Sequence, residues 1–135
     1  HDGHGIRAIQ DAGIAVAIIS GRSSQAVSLR MNELGVEHVY QGQKDKTIAF
    51  QALLSHYQIT PNEVAYMGDD IPDLTVMTQV ALPIAVANAV TAVKQRIPWH
   101  TVNHGGSGAV REVCDLLLQT HTNKPPTQKQ EHQLD

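Results

Sequence analysis

Residues 14–19 (IAVAII) form an almost wholly apolar run, rich in Ile and Val, directly followed by Ser20, Gly21 and Arg22. A strand without alternation is expected where both faces of a sheet are covered, so this run argues for a buried, parallel arrangement. Short apolar runs alternate with segments of helical period through residue 119, which extends the argument to an α/β domain with helices on both faces of a parallel sheet. At 135 residues the chain has room for one domain. Its charge of −3 contains no long block of either sign, so neither nucleic acid nor an anionic membrane surface is an expected partner. The longest apolar run, residues 12–19 with Gly13 counted, falls well below the roughly 18 residues of a spanning helix. The single cysteine, Cys114, cannot form an internal disulfide and reads as a buried thiol in a reducing, cytoplasmic compartment.

The pattern predicts helices over residues 5–12, from Ser23 or Ser24 to 34, over 44–57 with Ile48, Leu53 and Leu54 inward, over 74–79, and over 109–118. Thr60, Pro61 and Glu63 mark a further short helix start. Strands are expected at 14–19, 39–40, 64–67 and 81–86, the last on an edge because Pro83 lacks a donor. Residues 120–135 lack apolar periodicity and contain Pro125 and Pro126, so they are expected to be a mobile tail beside a core of residues 1–119.

Ligand crevices in open α/β sheets lie beyond the carboxyl ends of the strands. Ser20, Gly21 and Arg22 follow one strand and precede a helix, offering a hydroxyl and amides to a phosphate, or serving only as a helix cap. Asp69, Asp70 and Asp73 follow another strand, three carboxylates within five positions. They repel one another unless a cation intervenes, and hard oxygen donors suit Mg²⁺; a plain acidic turn is the alternative. The eight histidines lack a cysteine partner set and read as scattered surface.

Residues 18–22 (IISGR), 40–46 (YQGQKDK), 64–73 (VAYMGDDIPD) and 105–112 (GGSGAVRE), in this order and spacing, resemble 3-deoxy-D-manno-octulosonate 8-phosphate phosphatases of the haloacid dehalogenase superfamily. The resemblance runs from Asp2 to about Leu118. It implies a capless Rossmann-like domain, Mg²⁺ as cofactor, a homotetramer, and hydrolysis of a phosphorylated sugar acid in lipopolysaccharide precursor synthesis. By the same resemblance, Ser20 hydrogen-bonds the transferring phosphoryl group and Lys46, otherwise a solvated helix lysine, offsets charge between phosphate and nucleophile. Asp69 matches the metal ligand, with Asp70 and Asp73 as supporting carboxylates. Gly21 and Arg22 join Ser20 and Lys46 in holding phosphate. Arg111 is a guanidinium that could take a carboxylate, or pair with Glu112 or Asp115 on its own helix.

The sequence departs from the family in one large respect, because the family's DxDG strand supplies its nucleophile and acid–base aspartates and no DxD occurs here. The first residue is His1, so the expectation is a span trimmed at its N-terminus, lacking a central strand and inactive by itself, with open edges along 14–19 and 64–67. Ser107 stands where a basic residue is usual, and Asn88 where aspartate is common. Two alternatives accompany the leading expectation: a phosphatase for the 9-phosphate of a nine-carbon sugar acid, and a non-catalytic, oligomerising domain of the same fold.

Overall fold

A computed structural model describes residues 2–106, 108–122 and 132–134. In chain order the elements are α1 (Asp2–Asp11), β1 (Val16–Ile19), α2 (Gln25–Glu33), β2 (His38–Tyr40), α3 (Lys46–Tyr57), β3 (Val64–Gly68), α4 (Leu74–Met77), β4 (Leu82–Ala85), α5 (Thr91–Arg96), α6 (Ala109–Thr122) and β5 (His132–Leu134). The expected α/β, Rossmann-like arrangement is present: every strand pairing is parallel, and helices lie on both faces. No helix of the described residues is long and apolar enough to cross a membrane.

Local chemistry explains the element boundaries. Ser24 caps α2, its Oγ accepting from the Val27 amide at 3.3 Å, and Asp45 caps α3 by accepting from the Thr47 amide at 3.0 Å. The Thr60 amide donates to Glu63 at 3.0 Å, so the predicted helix start is there, but only as a 3-10 turn over Pro61–Glu63 that feeds straight into β3. β1 and β3 are buried along their whole lengths, as the unbroken apolar runs require. Between and around them Ile9, Ile14, Phe50, Leu53, Tyr66, Ile84 and Val113 are enclosed, forming a continuous core. Cys114 is buried in that core and takes part in no disulfide.

Two expectations are corrected, and one helix is new. Ile48 does not face inward: it is 68% exposed, and Ala49, Phe50, Leu53 and Leu54 form the buried face of α3 instead. α5 was not foreseen, since its cap residue, Val90, makes no side-chain capping bond that would announce it. Finally, the tail expected from residue 120 gives way at both ends: α6 continues to Thr122, and residues 132–134 form β5. The intervening residues 123–131, also assigned to that tail, lie outside the described residues.

The sheet order is β2-β1-β5-β3-β4, with β5 central. Val16 and Ala17 register with Gln133 and Leu134, while Val64, Ala65 and Tyr66 register with His132, Gln133 and Leu134. The physical reason is backbone demand rather than an apolar face on the segment. β1 and β3 are buried, and their amides and carbonyls along the facing edges need partners that water cannot supply. β4, with Pro83, is the outer strand as expected; it pairs with β3, and beyond it Ala85 also bridges to His100. Because all strands run the same way, the residues following β1, β2, β3 and β4 converge on one edge.

Candidate active site

Three of those strand ends are tied together by backbone. After β1, the Ser20 amide donates to the Tyr40 carbonyl at 2.8 Å and the Ser20 carbonyl accepts from the Gln43 amide at 3.0 Å. Gly42 donates to the Arg22 carbonyl at 3.0 Å, and it does so from φ +66°, a conformation that favours glycine. Gln41 adds side-chain hydrogen bonds to Ser24 and Ser28, so the loop after β2 is tied to the start of α2 as well. The Ser20 hydroxyl accepts from the Arg22 amide at 3.1 Å, which leaves its own proton to donate. The Arg22 amide is thus engaged by Ser20, and α2 begins at Gln25, directly after its Ser24 cap.

The acidic turn after β3 is organised around Asp73, which is only 1% exposed. Its Oδ1 accepts from Lys46 Nζ at 2.7 Å and from the Tyr66 hydroxyl at 2.6 Å. Its Oδ2 accepts from the amides of Asp69 at 3.0 Å and Asp70 at 3.1 Å. A carboxylate has about four lone-pair sites, so Asp73 is saturated. The expectation that Asp73 supports a metal is therefore corrected: it anchors Lys46 and the turn. The close packing depends on Gly68, since a Cβ there would stand 2.7 Å from the Asp73 Cβ. Asp70 is also engaged, its Oδ1 accepting from the Ile71 amide at 2.8 Å as the cap of a 3-10 turn.

Electrostatics separate the carboxylates. Burial alone would raise Asp73, but Lys46, Tyr66 and the Asp69 amide outweigh it and hold the carboxyl below the usual range. Asp69 is pushed the other way, first by desolvation and then by the Asp73 charge, with Lys46 only partly compensating. The Asp69 side chain also meets that of Asp73, a contact that favours its protonated form. A hard, crowded carboxylate of this kind gains from a divalent cation, so its chemistry fits Mg²⁺. The fit is to one ligand of a set: no three His, Cys, Asp or Glu side chains among the described residues are grouped to hold a metal.

Ser20, Lys46 and Asp69 thus belong to one strand edge, while Arg111 belongs elsewhere. Its Nε pairs with Asp115 at 2.9 Å, the alternative anticipated from its helix position, and its amide donates to Asp2 at 3.1 Å. It lines a cavity of about 650 Å³ whose walls include Asp2, Glu112 and Asp115 and none of Ser20, Lys46 and Asp69. That acidic lining does not suit a carboxylate ligand. Asn88 accepts from the Gly105 amide at 2.8 Å, and Ser107 lies outside the described residues. Sequence reasoning missed Tyr66; the available signal was a phenol in an apolar strand, because a buried hydroxyl requires a partner.

Comparison with known proteins follows the same lines. Residues 36–113 match the family of haloacid dehalogenase-like hydrolases. The 3-deoxy-D-manno-octulosonate 8-phosphate phosphatase KdsC of Yersinia pestis is 49% identical over 117 residues, 87% of this chain and 63% of its own length. KdsC of Escherichia coli K12 is 50% identical over 117 residues, 87% of this chain and 62% of its own length. The chain thus spans less than two thirds of these curated relatives. The solved Yersinia pestis phosphatase superposes with a TM-score of 0.87 at 47% identity, covering 90% of this chain and 65% of that one. The Moraxella catarrhalis phosphatase, in complex with magnesium ion, phosphate ion and KDO, gives 0.86 at 42% identity, covering 90% and 70%. A cobalt-bound form from Haemophilus influenzae gives 0.84 at 36% identity, covering 90% and 71%.

Proposed function

The chain belongs to the haloacid dehalogenase-like hydrolases, among the relatives of KdsC, and from that premise we propose that it carries the phosphate-handling edge of a phosphatase for 3-deoxy-D-manno-octulosonate 8-phosphate. The product would be the free sugar acid used in lipopolysaccharide precursor synthesis, and the working form a homotetramer in the cytoplasm. The observation that carries the reading is the 2.7 Å contact of Lys46 with Asp73, which fixes an ammonium beside the Asp69 turn.

Phosphoryl transfer asks little covalent chemistry of a protein beyond a nucleophile; it asks for position and for charge on the equatorial oxygens to be neutralised. Lys46 supplies a fixed positive charge. Ser20 donates its hydroxyl proton to a phosphoryl oxygen. Asp69 would hold Mg²⁺, with Asp70 beside it, and a bound Mg²⁺ would offset negative charge on phosphate. Asp73 stays out of the reaction and keeps the ammonium and the turn in register. The nucleophile is the part this sequence does not contain in recognisable form, since it has no DxD.

That same absence favours a second reading, a non-catalytic member of the fold. One experiment separates them: phosphate release with Mg²⁺ from the eight-carbon sugar acid 8-phosphate and a nine-carbon 9-phosphate, by residues 1–135 and by a form extended with a DxDG strand. The proposal expects release only from the extended form, preference for the eight-carbon substrate, and loss of activity in Asp69→Asn. An inert extended form would leave the non-catalytic reading. Equal activity in both forms would show that the nucleophile has been misplaced.

A further inference from the structure

Tyr66 is fully buried in β3, where a phenylalanine would fill nearly the same volume without a polar atom to satisfy. Its hydroxyl reaches the Asp73 oxygen that also receives the Lys46 ammonium, at 2.6 Å and 2.7 Å respectively. Oδ2 is fixed by two backbone amides. Oδ1 is fixed by two side chains, one rigid and enclosed, the other long and flexible. A lysine carries four rotatable bonds and cannot hold a carboxylate in place; it follows the carboxylate. The rigid member of the pair is the phenol.

We propose that Tyr66 is a positioning residue for Lys46, pinning Asp73 Oδ1 so that the ammonium is presented at one place on the sheet edge. The functional side of this inference rests on Lys46 being the phosphate-facing cation; the geometric side does not. Without the hydroxyl, Oδ1 keeps a single donor, the carboxylate rocks about its Oδ2 contacts, and Lys46, whose side chain is 12% exposed, spends more time in water.

The test is trace acetylation of lysines in the intact chain, read by peptide mass spectrometry in the parent and in Tyr66→Phe. In the parent, Lys46 should react more slowly than the exposed Lys44. Tyr66→Phe should raise the Lys46 rate roughly tenfold or more, the effect of losing one hydrogen bond to a charged group. Lys44 and Lys94 should be unchanged. A Val113→Ala variant, cut into the core away from the site, supplies the rise caused by general loosening. A Lys46 rate in Tyr66→Phe that is unchanged, slower, or no higher than in Val113→Ala would overturn the inference. Failure of the phosphatase reading looks different: turnover indifferent to Lys46→Ala, with the labelling contrast intact.

Discussion

Lys46 and Asp73 stand 2.7 Å apart although the first opens α3 and the second closes the 3-10 turn after β3. The pair joins two sequence-distant motifs and leaves Asp73 almost wholly enclosed. Removing one member of such a buried pair strands the other, which typically costs about 3–5 kcal/mol.

The pair should be visible in the acid limb of stability. Burial opposes ionisation of Asp73, yet Lys46 and Tyr66 together hold its carboxyl below the usual range. Its folded value therefore lies below the unfolded one. Ionised Asp73 contributes stability that is complete above the ordinary value of about 3.9 and is lost as pH falls through the lower folded value. Asp73→Asn should melt lower at neutral pH and lose less of its melting temperature on acidification. Melting curves for the two proteins that run parallel from neutral to acid pH would contradict this.

Gly68 is required by the same geometry. Gly68→Ala would set a methyl group 2.7 Å from the Asp73 Cβ, against a buried side chain with no room to retreat. Overpacking of this kind costs about 1–3 kcal/mol, and here it should also displace the Lys46 anchor. Urea unfolding should show the loss, together with faster acetylation of Lys46. A variant as stable as its parent, with Lys46 still protected, would show that the turn yields more easily than its contacts imply.

β5 makes a prediction opposite to that of a mobile tail. Without its pairings, β1 with β2 and β3 with β4 are separate two-stranded pieces. Gln133→Pro removes a backbone donor in the central strand, so it should lower the melting temperature and speed hydrogen exchange along β1 and β3. Exchange as slow as in the parent would mean that the central position does not depend on residues 132–134.

Much of this was legible in the sequence because the signals were local. The unbroken apolar runs announced β1 and β3, Ser24 announced its helix by capping chemistry, and Pro83 announced an outer strand. What escaped depended on partners far along the chain. Ile48 has the composition of a core residue, but the α3 face that meets the sheet is chosen by Phe50 and Leu53. His132, Gln133 and Leu134 show no apolar pattern, and only the paired edges of β1 and β3 give them structure. In the acidic turn, residue type marked Asp69 and Asp73 alike. Their roles divide through contacts that spacing does not encode: four donors converge on Asp73, while Asp69 is desolvated beside the Asp73 charge.

The most direct measurement is steady-state turnover of Lys46→Ala in the DxDG-extended form, with 3-deoxy-D-manno-octulosonate 8-phosphate and Mg²⁺. An ammonium that stabilises charge in bound phosphate and transition state contributes a few kcal/mol, at about tenfold in rate for each 1.4 kcal/mol. The account predicts that kcat/KM falls by two orders of magnitude or more, roughly, while the variant remains folded by circular dichroism. A folded Lys46→Ala enzyme working within about threefold of its parent, far less than one such stabilising group supplies, would contradict it and return Lys46 to the role of a structural ion-pair partner for Asp73.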